Sequence, residues 1–142
     1  MPRVLQQAAV IPYRIHKERV EVALVTTSTG KGWIVPKGSV DEGERPRDAA
    51  IREAEEEAGL RGVVTRKPLG HYDHVKGSGR RRVDVYAMRV TDIADRWLED
   101  DVRRRRWMRI PDAVDCLRGE LQRLVYHLDV HLNSRADASN ES

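Results

Sequence analysis

Phenylalanine is absent from the 142-residue chain, and aromatic residues in all make up 5% of it. With charged residues at 35%, this composition suits an α+β or α/β domain with a heavily solvated surface. Cysteine occurs once, as Cys116, which excludes an internal disulfide and a Cys-based zinc site and suits a reducing compartment. No Cys-His pattern marks Cys116 as a nucleophile. No apolar run approaches the ~18 residues of a membrane span. Met1 to Gln7 lacks the apolar stretch and cleavage site of a signal peptide. These absences together lead us to expect a cytoplasmic protein without membrane contact. The formal net charge of +3 is too small to select a partner.

What is abundant is charge, at 35% of residues, in a length that fits one domain. The charge is blocked. Arg80-Arg81-Arg82 and Arg103 to Arg106 are basic, and Glu53 to Glu57 is acidic. Such blocks are either solvated faces or ion-binding sites. The mostly apolar run Ala8–Ile15 reads as a strand, and alternation predicts a second over Val20–Thr27, with His16 to Arg19 as the turn between them. Trp33 to Val35 reads as a short strand stopped by Pro36, and Gly38 to Arg45 as a loop. Val63 to Val75 reads as strand broken at Pro68, with a turn at Gly77-Ser78-Gly79. Arg81 to Val90 alternates, with Val83, Val85 and Ala87 on one side. Arg104 to Ile110 is a further strand. Asp112 is placed to cap a short helix. Leu121, Leu124, Val125, Leu128 and Leu132 mark a closing amphipathic helix. Asn133 to Ser142 reads as a polar, frayed tail. The order of elements suggests an α/β (α+β) fold with a mixed sheet between two helices.

Between Pro46, suited to a first helical position, and Gly59, suited to the residue past a helix end, lies a helix of about three and a half turns. An advance of 100° per residue puts Glu53, Glu56 and Glu57 on one face. Ala50, Ile51, Ala54 and Ala58 lie on the adjoining face, which would pack on the sheet, and Glu55 points away. Like charges at these spacings repel, and the C-terminal half of a helix disfavours anions. A divalent cation would remove both penalties, and three carboxylates suit Mg²⁺ or Mn²⁺ better than zinc. On this helix alone, a solvated acidic face paired with arginines reads equally well.

The loop before the helix changes the weighting. Gly38, Glu44, Arg52, Glu53, Glu56, Glu57 and Gly59 fill the seven fixed positions of a pattern G-x₅-E-x₇-R-E-U-x-E-E-x-G-U, where U is apolar. At ~7% usage per residue, chance gives this about once in a million chains of such length. The segment resembles the signature of the Nudix hydrolases. Trp33 to Lys37 upstream is similar to the lead-in of the groups acting on dinucleoside polyphosphates and diphosphoinositol polyphosphates, and Trp97-Leu98-Glu99 with Arg103 to Trp107 downstream is similar in arrangement to the diphosphoinositol group. Arg106 departs from that group, which often has an acid before the matching tryptophan.

The resemblance implies a Nudix-type α/β/α sandwich as a single domain over residues 1–132, followed by the tail at 133–142. It implies a Mg²⁺-dependent enzyme, with Mn²⁺ as a substitute, that cleaves a phosphoanhydride bond by attack of water. Glu53, Glu56, Glu57 and the Gly38 carbonyl would hold the metal. Glu56, or else Glu53, would be the general base, and Arg52 would orient a carboxylate by pairing with Glu44. Lys37, Arg82 and Arg104, then Arg81 and Arg105, are the candidate contacts to a phosphorylated small-molecule substrate. Strand parity decides which of these arginines point inward. His71 and His74 are assigned no role, and Trp33 and Trp107 are read as core. Other readings are a nucleoside triphosphate or RNA 5′-end pyrophosphohydrolase, and a non-catalytic nucleotide-binding regulatory module. The chain would act as a monomer or homodimer.

Overall fold

The computed structural model describes residues 4–77 and 79–140. Its elements, in chain order, are β1 (Val4–His16), β2 (Arg19–Thr26), β3 (Trp33–Ile34), β4 (Lys37–Ser39), α1 (Pro46–Ala58), β5 (Leu60–Val64), β6 (Gly70–Lys76), β7 (Gly79–Ile93), β8 (Arg105–Arg109), α2 (Ile110–Cys116) and α3 (Glu120–Asn140). The long strands β1 and β7 run parallel from Val4↔Arg80 to Tyr13↔Arg89. All other pairings are antiparallel, so the sheet is mixed, as expected.

Each long strand changes partner along its length. β1 takes β4 beside Gln7 to Ala9 and β2 beside Tyr13 to His16. β7 takes β6 in its first half and β5 in its second. The turn between β1 and β2 falls on Lys17 and Glu18, both left-handed, with φ of 51° and 66°. A two-residue turn of the mirror type needs positive φ at both positions, and here neither is glycine.

Alternation along the strands gives the sheet two apolar faces. Ala9, Ile11, Val22, Leu24, Val83 and Val85 pack against α2 and α3, where Leu121, Leu124, Val125 and Leu128 are buried. Ala8, Val10, Ala23, Val25, Tyr86 and Met88 pack against α1. Burying each Val, Leu or Ile contributes about 1.5–3 kcal/mol. The fully buried residues of α1 against the sheet are all alanine, Ala49, Ala50, Ala54 and Ala58, with Ile51 packed partly buried at their side. Small side chains let this helix lie close to the strands, which brings its glutamates within reach of β4.

Two local expectations need correction. Gly38 does not begin a loop, because Lys37–Ser39 pairs with Gln7–Ala9 of β1; nonlocal pairing makes this strand, not its own pattern. Asp112 lies in the first turn of α2 and does not cap it; Arg109 stands at that position and Pro111 follows. The helix α3 has helical backbone to Asn140; residues 141–142 of the segment read as a polar tail lie outside the described residues. Ser78 of the expected Gly77–Gly79 turn lies outside them too. Among the described residues, no helix is long and apolar enough to cross a membrane.

Candidate functional site

Helix α1 begins at Pro46 and ends at Gly59, whose φ of 64° and ψ of 33° place it in the left-handed conformation that closes helices. Both ends match the sequence expectation. Arg52, on the outer flank of α1, gathers the loop before the helix. Its Nε and Nη2 donate to the two carboxylate oxygens of Glu44 at 3.0 Å each, and Nη2 also reaches the Ser39 carbonyl at 3.1 Å. Its Nη1 donates to Glu53 Oε1 at 2.9 Å and approaches Glu56 Oε2 at 3.5 Å. The hydrogen bonds from Arg52, aided by the Asp41 amide, hold the Glu44 carboxyl below its usual range.

Glu53 and Glu57 are buried charged side chains. Glu53 lies over Gly38: a Cβ there would overlap its Oε1, so only glycine allows the approach. The Lys37 amide donates to Glu57 Oε2 at 3.4 Å. Burial raises the pKa of both carboxyls. For Glu53, the hydrogen bond to Glu57 and the Arg52 charge oppose the rise. Glu57 is pushed up to about 8 by burial, against the pull of Arg103, with Glu53 and Glu99 adding repulsion.

Among the described residues, the group that could hold a cation is Glu53, Glu57 and Glu99, with one carboxylate oxygen from each lying within 4.8 Å of the others. Glu99 was missed by the sequence reading. It sits on the loop between β7 and β8, and its amide donates to the Glu56 carbonyl at 3.0 Å. Arg103 completes the cluster, at 2.8 Å from Glu99 Oε1 and 3.7 Å from Glu57 Oε1, and donates to the Thr26 carbonyl at 2.8 Å. Glu56 stands outside this group and turns towards Arg52. The donor set is oxygen only and anionic, which fits Mg²⁺ or Mn²⁺ and does not fit zinc. The room above Gly38 and the cost of keeping buried carboxylates together point the same way.

Beside Lys37, a cleft of about 620 Å³ opens, lined also by Lys31, Trp33, Tyr72, His74 and Arg118. Tyr72 is half-buried, and burial pushes its hydroxyl up to about 12. Of the five candidate phosphate contacts, Lys37 lines this cleft. Arg81 pairs across strands with His74, one of its lining residues. Arg104 is exposed in an adjoining depression, together with Lys31 and Asp101. Arg82 lies on the opposite face of β7 from Val83 and is paired with Asp84 at 3.2 Å. Arg105 donates to the Ala58 and Ala94 carbonyls at 2.7 and 2.9 Å, so its guanidinium is engaged inside the protein and not at the cleft. Gln7 was also missed: it is buried on β1 with its side-chain oxygen unpaired among the described residues.

Comparison with known proteins identifies the family. The profile of the NUDIX domain matches residues 5–128. Diphosphoinositol polyphosphate phosphohydrolase 3-beta of Bos taurus is 38% identical over 116 residues, covering 79% of this chain and 68% of that protein. Nudix hydrolase 16, mitochondrial, of Arabidopsis thaliana is 34% identical over 106 residues, covering 70% and 59%. The chain thus spans between about three-fifths and two-thirds of the length of these relatives. The Ap4A hydrolase of C. elegans has the same fold, with a TM-score of 0.77 at 22% identity over 92% of this chain and 99% of that one. With its domain matched almost end to end and its carboxylate helix in place, the chain belongs to the NUDIX family.

Proposed function

We propose that the protein is a Mg²⁺-dependent pyrophosphohydrolase acting on diphosphoinositol polyphosphates or dinucleoside polyphosphates. The observation that carries this reading is the set of buried Glu53 and Glu57 with half-buried Glu99, beside side-chain-free Gly38 and next to a cleft that contains Lys37. The 38% identity to a protein named for diphosphoinositol polyphosphate hydrolysis supports the substrate class. Mn²⁺ is an expected substitute.

Glu53, Glu57 and Glu99 would hold the cation, and the Gly38 carbonyl is a further candidate ligand. When bound, Mg²⁺ supplies charge neutralisation for the phosphates and acidifies a water. The chain's own residues do the rest. Arg52 fixes Glu53 and the Glu44 loop by its planar fork. Glu56, half-exposed and outside the buried set, is the proton acceptor for the attacking water, with Glu53 as the alternative. Lys37 draws the substrate phosphates to the end of the cleft nearest Glu57, and Lys31 and Arg118 extend its positive lining.

An RNA substrate is less well supported. It needs a continuous basic groove, and the arginine blocks of the sequence are dispersed by strand parity. Arg80 is tied to Asp73, Arg82 to Asp84, and Arg103 to Glu57 and Glu99.

A product-analysis screen with Mg²⁺, separating nucleotide, sugar phosphate, inositol phosphate, pyrophosphate and inorganic phosphate products, tests the proposal. It would cover diphosphoinositol polyphosphates, dinucleoside polyphosphates, nucleoside triphosphates, ADP-ribose and triphosphorylated RNA. Turnover of one of the first two classes is expected. Glu56→Gln and Glu57→Gln should each lower it at least ~10²-fold. Wild-type rates in both variants would overturn the mechanism, and turnover confined to the other substrates would overturn the substrate class.

A further inference from the structure

Helix α1 carries Glu55, Glu56 and Glu57 near its C-terminus and has no basic residue in its last turn. That end of a helix bears a partial negative charge and four carbonyls without intrahelical donors. Acids there are unfavourable, yet this is where the carboxylate set must be held.

The carbonyls are satisfied one by one, chiefly by a segment far along the chain. The Glu55 carbonyl accepts from the Gly59 amide at 3.0 Å. The Glu56 carbonyl accepts from the Glu99 amide at 3.0 Å. The Glu57 carbonyl accepts from Trp97 Nε1 at 2.8 Å, and the Ala58 carbonyl from Arg105 Nη1 at 2.7 Å. The Arg105 guanidinium also stacks on the Trp97 ring, 4.4 Å from its centroid. The ring lies so close to Gly59 that a Cβ there would stand 2.9 Å from Trp97 Cβ. Arg103 and Arg105 bring to this helix end the positive charge that its own sequence lacks.

We infer that Trp97 and Arg105 are positioning residues for the metal site, holding the last turn of α1 so that Glu57 stays beside Glu53 and Glu99. Neither touches a carboxylate of the set; both act through the helix backbone. The same segment delivers Glu99, so one docking event fixes the helix end and adds the third carboxylate. The inference rests on the metal reading above.

The test is Mn²⁺ binding to the full chain, followed by electron paramagnetic resonance, in Trp97→Phe and Arg105→Met. Trp97→Phe keeps a ring beneath Arg105 and removes one donor. Its Mn²⁺ dissociation constant should rise about fivefold, the scale of one lost hydrogen bond. Arg105→Met removes a charge as well and should raise it about tenfold. The substrate KM at saturating Mg²⁺ should stay unchanged in both. A merely structural role would lower the folded fraction, and so the number of sites and kcat, but not the dissociation constant of the sites that remain. If Arg105→Met does not fold, Trp97→Phe decides. Wild-type dissociation constants in the folded variants would overturn the inference, as would a changed KM. A wild-type protein without saturable Mn²⁺ binding would overturn the metal reading, and the inference with it.

Discussion

Arg52 and Glu44 form a two-pronged ion pair, with both carboxylate oxygens of Glu44 accepting at 3.0 Å from different nitrogens of one guanidinium. The pair joins the loop before α1 to the middle of the helix, and through Nη1 it also fixes Glu53. The Glu44 carboxyl therefore titrates below its ordinary value of 4.5 in the folded protein. A depressed carboxyl stabilises the fold above its unfolded pKa, and that contribution is lost as pH falls through the folded value. The melting temperature of wild type should thus fall on acidification below about pH 4.5. Glu44→Gln should show less of this fall and be less stable at pH 7 by about 0.5–1 kcal/mol, the scale of a partly exposed pair. Melting curves of both proteins from pH 3 to 7 check this. Parallel acid limbs would show that Glu44 is not the group responsible.

Gly38→Ala separates the site from the fold. The new methyl overlaps Glu53 Oε1, which is the end of a flexible side chain and can move. Glu53 would then leave its place beside Glu57 while the strand pairing of Lys37–Ser39 with β1 persists. Mn²⁺ affinity should drop at least ~10-fold, the low end for disturbing a metal shell. The melting temperature without metal should change by under ~3 °C, or about 1 kcal/mol. Calorimetric titration and a melting curve give the two numbers. Unaltered Mn²⁺ affinity would remove Gly38 and Glu53 from the site.

The turn at Lys17-Glu18 predicts an easy gain in stability. Both residues are left-handed without being Gly or Asn, which costs about 1 kcal/mol each. Lys17→Asn with Glu18→Gly gives the turn the residues its geometry favours. We expect a rise of roughly 1 kcal/mol, or ~3 °C in melting temperature. The turn joins β1 to β2, and these residues take no part in the carboxylate set or the cleft, so turnover should not change. A drop in melting temperature would contradict the assigned turn.

What could be read in advance was what is encoded locally. Pro46, Gly59 and the alanine-glutamate spacing delimit α1 without reference to any other segment. The alternation of Val83, Val85 and Ala87 placed them on one face, and all three pack in the same cluster. Residues brought in by distant pairing were not legible. Glu99 and Arg103 reach α1 because β8 pairs with β2, and no spacing within the chain announces that. Parity had the same effect on the arginines. Arg105 pairs with Val25, on the α1 face of the sheet, and so ends beneath the helix and not in the cleft. β4 escaped because three residues, one of them glycine, carry no strand pattern of their own.

Glu57 shows what the site costs the fold. The residue is 5% exposed, and burial raises its pKa to about 8, so without a cation the folded protein must take up a proton or carry a buried charge near pH 7. Arg103, at 3.7 Å, offsets this only in part. Glu57→Gln keeps the shape and removes the charge. In EDTA at pH 7 the variant should be more stable than wild type by on the order of 2 kcal/mol, or ~6 °C in melting temperature. With Mn²⁺ the order should reverse, because a cation bound only by the folded state stabilises wild type by mass action and the variant much less. Four melting curves, two proteins with and without metal, settle the matter. A variant less stable than wild type in EDTA would mean that Glu57 is held by favourable contacts beyond Arg103 and the Lys37 amide. A Mn²⁺ response equal to that of wild type would take Glu57 out of the metal set.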